Sequence, residues 1–462
     1  MNKKLNEFNS KISGKKVAVI GAGVSNISLF EYLYNLDCDI TLFDRKNELN
    51  DKVNDIVNKF YIKTSLGENY LENLVGFDYI FRSPSMLPSN PYLVKEAKRG
   101  AVVTTEIEQV INLSSSLVIG ITGSKGKTTT TTILDMLLRG FGVNTYVGGN
   151  IGKSLFTSLK DIKNDDVIVL ELSSFQLMDM KVSPNISIVT NISPDHLDIH
   201  KDYQEYIDSK KSIFLNQGKN DVVVLNYDDK IVREMAKEAK GIVKFFSSSE
   251  KFKNSYYVDM PYIKYIDDSM NENVVLDMND IKLKGIHNAM NICACLNAIS
   301  DYVIPERIKD ILADFTGVKH RLQFVREING VKWYNDSAST TPDKARAGIM
   351  AFSEPITLIC GGYDKNLDYK PLAEYILENV NNVVLFGQTK DKIYNEVRDL
   401  CNKTGREIPM FVVDSLEEVV MVANRITNSG EIVLFSPASA SFDMFDNAYQ
   451  RGDMFSSLVN KL

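Results

Sequence analysis

Gly120-Ile-Thr-Gly-Ser-Lys-Gly-Lys-Thr-Thr129 follows the apolar run Leu117-Val-Ile119 and precedes the helical pattern Thr132-Ile-Leu-Asp-Met-Leu-Leu138. Strand, glycine-rich turn, Lys-Thr and helix are the context in which a phosphate loop has physical meaning. Glycines let the backbone wrap closely around phosphate oxygens, and the helix N-terminus adds a favourable dipole. The loop would be built from Gly123, Ser124, Lys125, Gly126, Lys127, Thr128 and Thr129. Its N–H groups would point at the anion, Lys127 would reach the outer phosphates, and the Thr128 hydroxyl would hold Mg²⁺. The strict spacing asks for Gly at 121, where this chain has Ile121, with glycines at 120 and 123 instead.

The chain of 462 residues has room for about three domains of roughly 150 residues each. A hydrophobic content of 44% and a charged content of 24% are ordinary globular values. Net charge −7 argues against a general nucleic-acid binder. The five cysteines (Cys38, Cys293, Cys295, Cys360 and Cys401) show neither paired nor metal-ligand spacing, which suits a reducing cytoplasm. The N-terminus lacks an apolar signal core, and no apolar run approaches ~18 residues, so a cytoplasmic protein without membrane insertion is expected.

Three segments divide the chain, at about 1–112, 113–316 and 317–462, each an α/β unit. In the first, Lys16-Val-Ala-Val-Ile20 reads as a buried parallel strand, followed by Gly21-Ala-Gly-Val-Ser-Asn26 and a helical stretch. Asp39-Ile-Thr-Leu-Phe-Asp44 is a second strand, ending in an acid about 20 residues after the glycines, as a dinucleotide fingerprint asks. Asn26 stands where that fingerprint has its third Gly. This predicts a Rossmann-like nucleotide site without naming the nucleotide. Arg82-Ser-Pro-Ser-Met86 forms a strand-end loop able to face the same ligand.

In the middle segment, Thr145-Tyr-Val-Gly-Gly-Asn-Ile-Gly152 is too glycine-rich to predict a strand interior. Asp166-Val-Ile-Val-Leu170 is a continuous apolar strand with Glu171 just past it, where a Mg²⁺-binding acid belongs. Ile186-Ser-Ile-Val-Thr190 is another strand, leading to Asn191-Ile-Ser-Pro-Asp-His-Leu-Asp198. Ligands collect outside the carboxyl ends of parallel strands, so Lys127, Glu171 and His196 are expected to converge. His200 reads as an ordinary polar residue. Lys210 and Lys211 lie in an amphipathic helical pattern, where a solvated face is the plain reading. Asn288 and Asn291 share a helix face and suit a base edge or ribose. The last segment repeats apolar strands followed by loops rich in Ser, Thr, Asp and Lys, a second Rossmann-like unit suited to a small polar substrate.

Several separated stretches together resemble the Mur ligase family. They are Thr122-Gly-Ser-Lys-Gly-Lys-Thr-Thr129, Gly149-Asn-Ile-Gly152, Glu171-Leu-Ser-Ser-Phe-Gln-Leu177, Ser193-Pro-Asp-His-Leu-Asp198, His287-Asn-Ala-Met-Asn291 and His320-Arg321. Glu171-Leu-Ser-Ser-Phe-Gln176, Ser436-Pro-Ala-Ser-Ala-Ser-Phe-Asp443 and Arg451-Gly452 are similar to its D-glutamate-adding branch. The resemblance implies three domains: a UDP-binding one (1–112), a central P-loop ATPase with a mostly parallel sheet (113–316), and a C-terminal amino-acid-binding one (317–462). It implies an ADP-forming amide ligase of peptidoglycan precursor synthesis, acting as a monomer on UDP-N-acetylmuramoyl-L-alanine and D-glutamate through an acyl phosphate.

By matched position, the resemblance gives Thr128 and Glu171 to a first Mg²⁺ and His196 to a second. The second ion would share a lysine that the family carries in carbamylated form, which by matched position is Lys210, with the neighbouring Lys211 as the alternative one residue out of register. Asn150, Asn288, Asn291, Arg321 and Asp336 would contact ATP. Val24, Ser25, Asp44, Arg45, Ser83 and Pro84 would meet the UDP end, with Ser173 near the muramoyl group. Asp195, Thr340, Lys365, Ser441 and Phe442 would hold D-glutamate. Ala338 is a departure, since many members carry Lys there to bind the glutamate carboxylate, and it leaves a different acceptor such as L-glutamate open. Two other classes compete: an NAD-dependent oxidoreductase built on Gly21–Asp44, and a P-loop ATPase acting as an assembly module.

Overall fold

The computed structural model describes residues 2–152, 154–194, 199–283 and 285–462, the side chains of Val24 and Ser25 excepted. Short β-branched runs flanked by helices form three mostly parallel sheets. The first holds β1 (Lys16–Ile20), β2 (Asp39–Asp44), β3 (Lys63–Leu66), β4 (Tyr79–Phe81) and β5 (Val102–Thr104) in the order β3-β2-β1-β4-β5. The central sheet holds β6 (Leu117–Thr122), β7 (Thr145–Gly149), β8 (Val167–Glu171), β9 (Ile186–Val189), β10 (Val222–Asn226) and β11 (Ile242–Phe246). Their order is β11-β10-β9-β6-β8-β7, with every pair parallel. In both sheets the chain winds first to one side of a middle strand and then to the other. A crevice therefore opens at the carboxyl ends of β1 and β4, and another at those of β6, β8 and β9.

A small antiparallel sheet follows, made of β12 (Ser255–Asp259), β13 (Tyr262–Ile266) and β14 (Glu272–Asp277). The last sheet runs β15-β16-β20-β17-β18-β19, with ranges Gln323–Ile328, Val331–Asn335, Ile356–Gly361, Val380–Phe386, Met410–Val412 and Ile432–Phe435 for β15 to β20 in chain order. Only β15 is antiparallel to its neighbour. Among the described residues no helix is long and apolar enough to cross a membrane.

The chain separates into two compact units, Met1–Phe315 and Thr316–Leu462. The expected boundary at 112/113 falls inside the first. The helix Glu106–Leu113 carries Ile107, Val110, Ile111 and Leu113 into a buried cluster that also contains Val17, Leu29 and Leu42 of the first sheet layer and Ile168, Leu170 and Phe214 of the central one. Each such side chain contributes about 1.5–3 kcal/mol on burial, so two sheets sharing this core form one compact body.

One expectation is overturned. Residues 145–149 do form a strand, β7, paired in register from Thr145↔Val167 to Gly149↔Glu171. Glycine there reflects close approach: a Cβ on Gly149 would overlap the Glu171 carbonyl oxygen, and its φ of 95° is open to few other residues. β7 is an edge strand, where the ladder needs less from its side chains.

Candidate active site

The loop after β6 is shaped by two glycines. Gly126 caps the helix Lys127–Gly140 in the left-handed region at φ 83°, and a Cβ there would lie 2.9 Å from Asn291 Oδ1. At Gly123 a Cβ would overlap Thr190 Oγ1. The end of β9 fastens the loop from below. Ser124 N–H donates to Asn191 O (2.9 Å) and Lys125 N–H to Asn191 Oδ1 (2.8 Å). Thr190 Oγ1 donates to Lys125 O (2.7 Å), and Ser124 Oγ both accepts from Ser193 N–H and donates to Ser193 O. Two of the loop N–H groups expected to face an anion are thus spent internally. The anion-binding capacity rests on the first N–H groups of the helix, which have no intrahelical partner. Lys127 Nζ lies over the loop, donating to Gly123 O (2.8 Å) and Ser124 O (2.9 Å).

Glu171, the last residue of β8, is buried. Its Oε1 accepts from Asn150 Nδ2 at 2.7 Å, and Asn150 N–H also donates to Glu171 O. Its Oε2 has no hydrogen-bond partner among the described residues. A buried carboxylate oxygen with no donor is costly unless a cation completes it. With the Thr128 hydroxyl at the start of the adjoining helix, the donor set is all oxygen, as Mg²⁺ requires. The residues present fit that ion.

The two candidate lysines differ sharply. Lys210 is 1% exposed, and its Nζ reaches Gly123 O at 2.8 Å and stands over the Tyr206 ring at 4.7 Å from the centroid. Lys211 turns the other way, pairing with Asp208 (3.2 Å) and Glu238 (2.6 Å), whose hydrogen bonds hold its pKa above the ordinary value against the effect of partial burial. Tyr206 OH also shares a 2.7 Å hydrogen bond with Ser124 Oγ. His200 lies before the helix Tyr203–Leu215, stacked on Phe175 and bonded to Ser174 Oγ at 2.9 Å, so it serves the packing of this corner. Ser173 is committed to a capping box with Gln176 at the helix Ser174–Leu177. Asp195 and His196 lie outside the described residues.

At the first sheet, Asp44 grips the loop after β1, accepting from Ala22 N–H at 2.8 Å, and also accepts from Lys46 N–H. Asn26, in place of the fingerprint glycine, is buried and donates to Ile20 O and Gly21 O, tying off the strand end. Ser83 follows β4 and would lie 3.1 Å from a Cβ on Gly21, which brings the two loops together. Pro84 is half-buried, and Arg45 is exposed on the loop after β2. Arg82, buried with its pKa lowered by desolvation, donates to Met86 O and Met178 O, linking this loop to the segment after the helix Ser174–Leu177.

In the Thr316–Leu462 unit, the loops after β16, β17 and β20 meet. Asp336 is buried, and its carboxylate accepts from Ser339 Oγ (2.6 Å), Ser436 Oγ (2.7 Å) and Leu322 N–H (3.2 Å). Burial pushes its pKa up to about 6 despite those donors. Tyr363 N–H bonds Ala440 O, and the exposed Lys365 places its ammonium 5.5 Å from the Phe442 ring centroid. Ser441 is buried, Thr340 and Ala338 are half-buried, and Arg321 is exposed.

Three family models match in chain order: the Mur ligase MurD-like N-terminal domain at residues 15–105, the Mur ligase middle domain at 121–299, and the Mur ligase glutamate ligase domain at 320–439. Proteins named UDP-N-acetylmuramoylalanine–D-glutamate ligase from Clostridium novyi and Clostridium beijerinckii are 45% and 47% identical to this chain, each over 100% of both chains. The chain belongs to the Mur ligase family. Among solved Mur ligases, UDP-N-acetylmuramate-alanine ligase MurC from Thermotoga maritima covers 97% of this chain and 99% of its own at TM-score 0.54 and 17% identity. MurF from the same organism, in complex with ADP, reaches TM-score 0.53 at 17% identity, covering 98% of this chain and 97% of its own. At that identity both speak for the fold alone.

Within this Mur ligase, Lys127, Thr128, Glu171, Asn150, Asn291 and Lys210 gather around one crevice of the Met1–Phe315 unit. Asp44 and Ser83 flank the crevice of the first sheet. Thr340, Lys365, Ser441 and Phe442 lie on the strand-end loops of the second unit. Asn288 is half-buried one helical turn before Asn291. Sequence reasoning missed Thr190, Asn191 and Tyr206, which hold the phosphate loop and Lys210. The one available signal was the i, i+4 spacing of Tyr206 and Lys210.

Proposed function

We propose that this protein is an ATP-dependent amide ligase that joins D-glutamate to UDP-N-acetylmuramoyl-L-alanine, forming ADP and phosphate, as a monomer in the cytoplasmic synthesis of peptidoglycan precursors. Each sheet layer would serve one substrate: 1–112 the UDP moiety, 113–316 ATP, and 317–462 the amino acid. The observation that carries the reading is Glu171, buried at the end of β8 with no hydrogen-bond partner for Oε2 among the described residues, beside a phosphate loop and the buried Lys210. The choice of substrates draws on the full-length likeness to relatives bearing that name.

Lys127 and the helix N-terminus would hold the ATP phosphates while the γ-phosphoryl group passes to the L-alanyl carboxylate. The amine of D-glutamate then attacks the acyl carbon, the tetrahedral adduct collapses, and phosphate leaves. Thr128, Glu171, His196 and carbamylated Lys210 would hold two Mg²⁺, which neutralise phosphate charge. Asn150, Asn288, Asn291, Arg321 and Asp336 would position ATP. Asp44, Arg45, Ser83 and Pro84, with Val24 and Ser25, would meet the UDP end, and Ser173 the muramoyl group. Asp195, Thr340, Lys365, Ser441 and Phe442 would hold D-glutamate.

Incubation with the UDP substrate, ATP, Mg²⁺ and D-glutamate should release phosphate. Absence of release, or equal release with L-glutamate, meso-diaminopimelate or lysine, overturns the reading. Ala338 favours testing a second acceptor, L-glutamate, because no cation stands at that position.

A further inference from the structure

Arg451, on the helix Ala448–Asn460, is fully buried, and every hydrogen bond it donates goes to an uncharged oxygen. Nε donates to Ser337 Oγ (3.0 Å) and Nη2 to Ser337 O (2.9 Å). Nη1 is forked between Ser439 O (3.1 Å) and Ala440 O (2.9 Å). Ser337 belongs to the loop after β16, and Ser439 and Ala440 to the loop after β20. Ala440 also accepts from Tyr363 N–H in the loop after β17. One planar group therefore pins the loops that carry Thr340 and Ser441 and, through Ala440, bears on the one that carries Lys365.

Among the described residues no carboxylate is hydrogen-bonded to Arg451, Asp443 acting on it through charge alone. A guanidinium held in that way is an expensive way to fill a core, since apolar replacements of similar volume are often at least as stable. Burial lowers its pKa to about 10, so it stays charged at neutral pH at a cost in stability. Its planar, forked donors fix direction as well as distance, which a lysine cannot reproduce.

We infer that Arg451 is a positioning residue for the amino-acid site: through Ser337, Ser439 and Ala440 it sets the geometry of the loops after β16 and β20. It also places a buried positive charge one residue from Ala338, where the chain has no cation of its own to meet a dicarboxylate. The inference rests on the ligase reading above.

The test compares wild type with Arg451→Met, Arg451→Lys and Ser337→Ala, measuring kcat and KM for each substrate alongside thermal melting. Loops shifted off their geometry lose hydrogen bonds to the charged groups of the bound amino acid, and one such bond is worth roughly 10- to 100-fold in affinity. Arg451→Met should therefore raise KM for D-glutamate by ~10- to 100-fold and leave KM for the UDP substrate within ~2-fold. Arg451→Lys should fall between the two, because charge returns without the fork. Should Arg451→Met fail to fold, Ser337→Ala decides: it removes the Nε acceptor, together with the hydroxyl's bond to Ala448 O at the start of the same helix (2.7 Å), and should raise KM for D-glutamate several-fold. An unchanged D-glutamate KM, or a parallel rise for the UDP substrate, overturns the inference. A wild-type enzyme without D-glutamate-dependent phosphate release instead overturns the ligase reading, so the two failures are distinct.

Discussion

Lys127 and Lys210 both end on the carbonyl oxygen of Gly123, each at 2.8 Å, so their ammonium groups stand no more than twice 2.8 Å, or 5.6 Å, apart. At an effective dielectric of about 20, two like charges at that separation repel by about 3 kcal/mol. Carbamylation of Lys210 would turn that repulsion into attraction and supply oxygen ligands, which is the physical case for the modification. Lys127→Ala should lower kcat by ~10²-fold or more, read as ADP release, with little change in melting temperature. Lys210→Ala should be comparably damaging and partly restored by added formate or acetate, whereas Lys211→Ala should stay within a few-fold of wild type. The reverse pattern would move the modified lysine to 211. Sequence spacing left these neighbours undecided because both fit one helix, and only burial separates them. Tyr206 was illegible for a similar reason: a Tyr one turn before a Lys is common on helices, and its bond to Ser124 spans 82 positions.

At the scale of elements, the strands and their carboxyl-end loops were readable because parallel strands buried on both faces must be continuous apolar runs. β7 escaped, since its glycines answer to a neighbouring backbone and not to strand propensity. Gly149→Ala should therefore act on the site as well as the fold. The φ of 95° and the overlap with Glu171 O would shift Asn150 and Glu171. The expected outcome is a loss of roughly 1–3 kcal/mol in stability, with a higher Mg²⁺ concentration needed for half-maximal ADP release. The loop after β16 offers a pH test. Asp336 has its pKa raised by burial to about 6, so the folded state holds the proton more tightly than the unfolded chain. Its contribution to stability is complete below pH ~4 and is lost as pH rises through 6, amounting to about 3 kcal/mol from the size of the shift. Asp336→Asn should flatten that part of the stability–pH curve in urea melts. A curve with the wild-type slope would show that Asp336 does not titrate there.

At the scale of the whole molecule, composition and repeated βα patterning were enough to count three α/β layers, but not to say which of them share a core. That depended on the helix Glu106–Leu113 feeding one cluster common to the first two sheets. The third sheet has its own apolar layers on either face, containing Leu358, Ile376 and Leu434 on one side and Trp333, Val433 and Phe435 on the other. Two compact units with separate cores predict two calorimetric unfolding transitions. Leu434, fully buried, provides the marker: Leu434→Ala should cost 2–5 kcal/mol, as for large-to-small core changes, and lower only the transition of Thr316–Leu462. The UDP substrate at about 100 times its Kd should add about 2.7 kcal/mol to the unit that binds it and raise only the other transition. A single transition that both perturbations move together would mean that the units unfold as one cooperative body, and the separate cores would then not set the cooperativity of this chain.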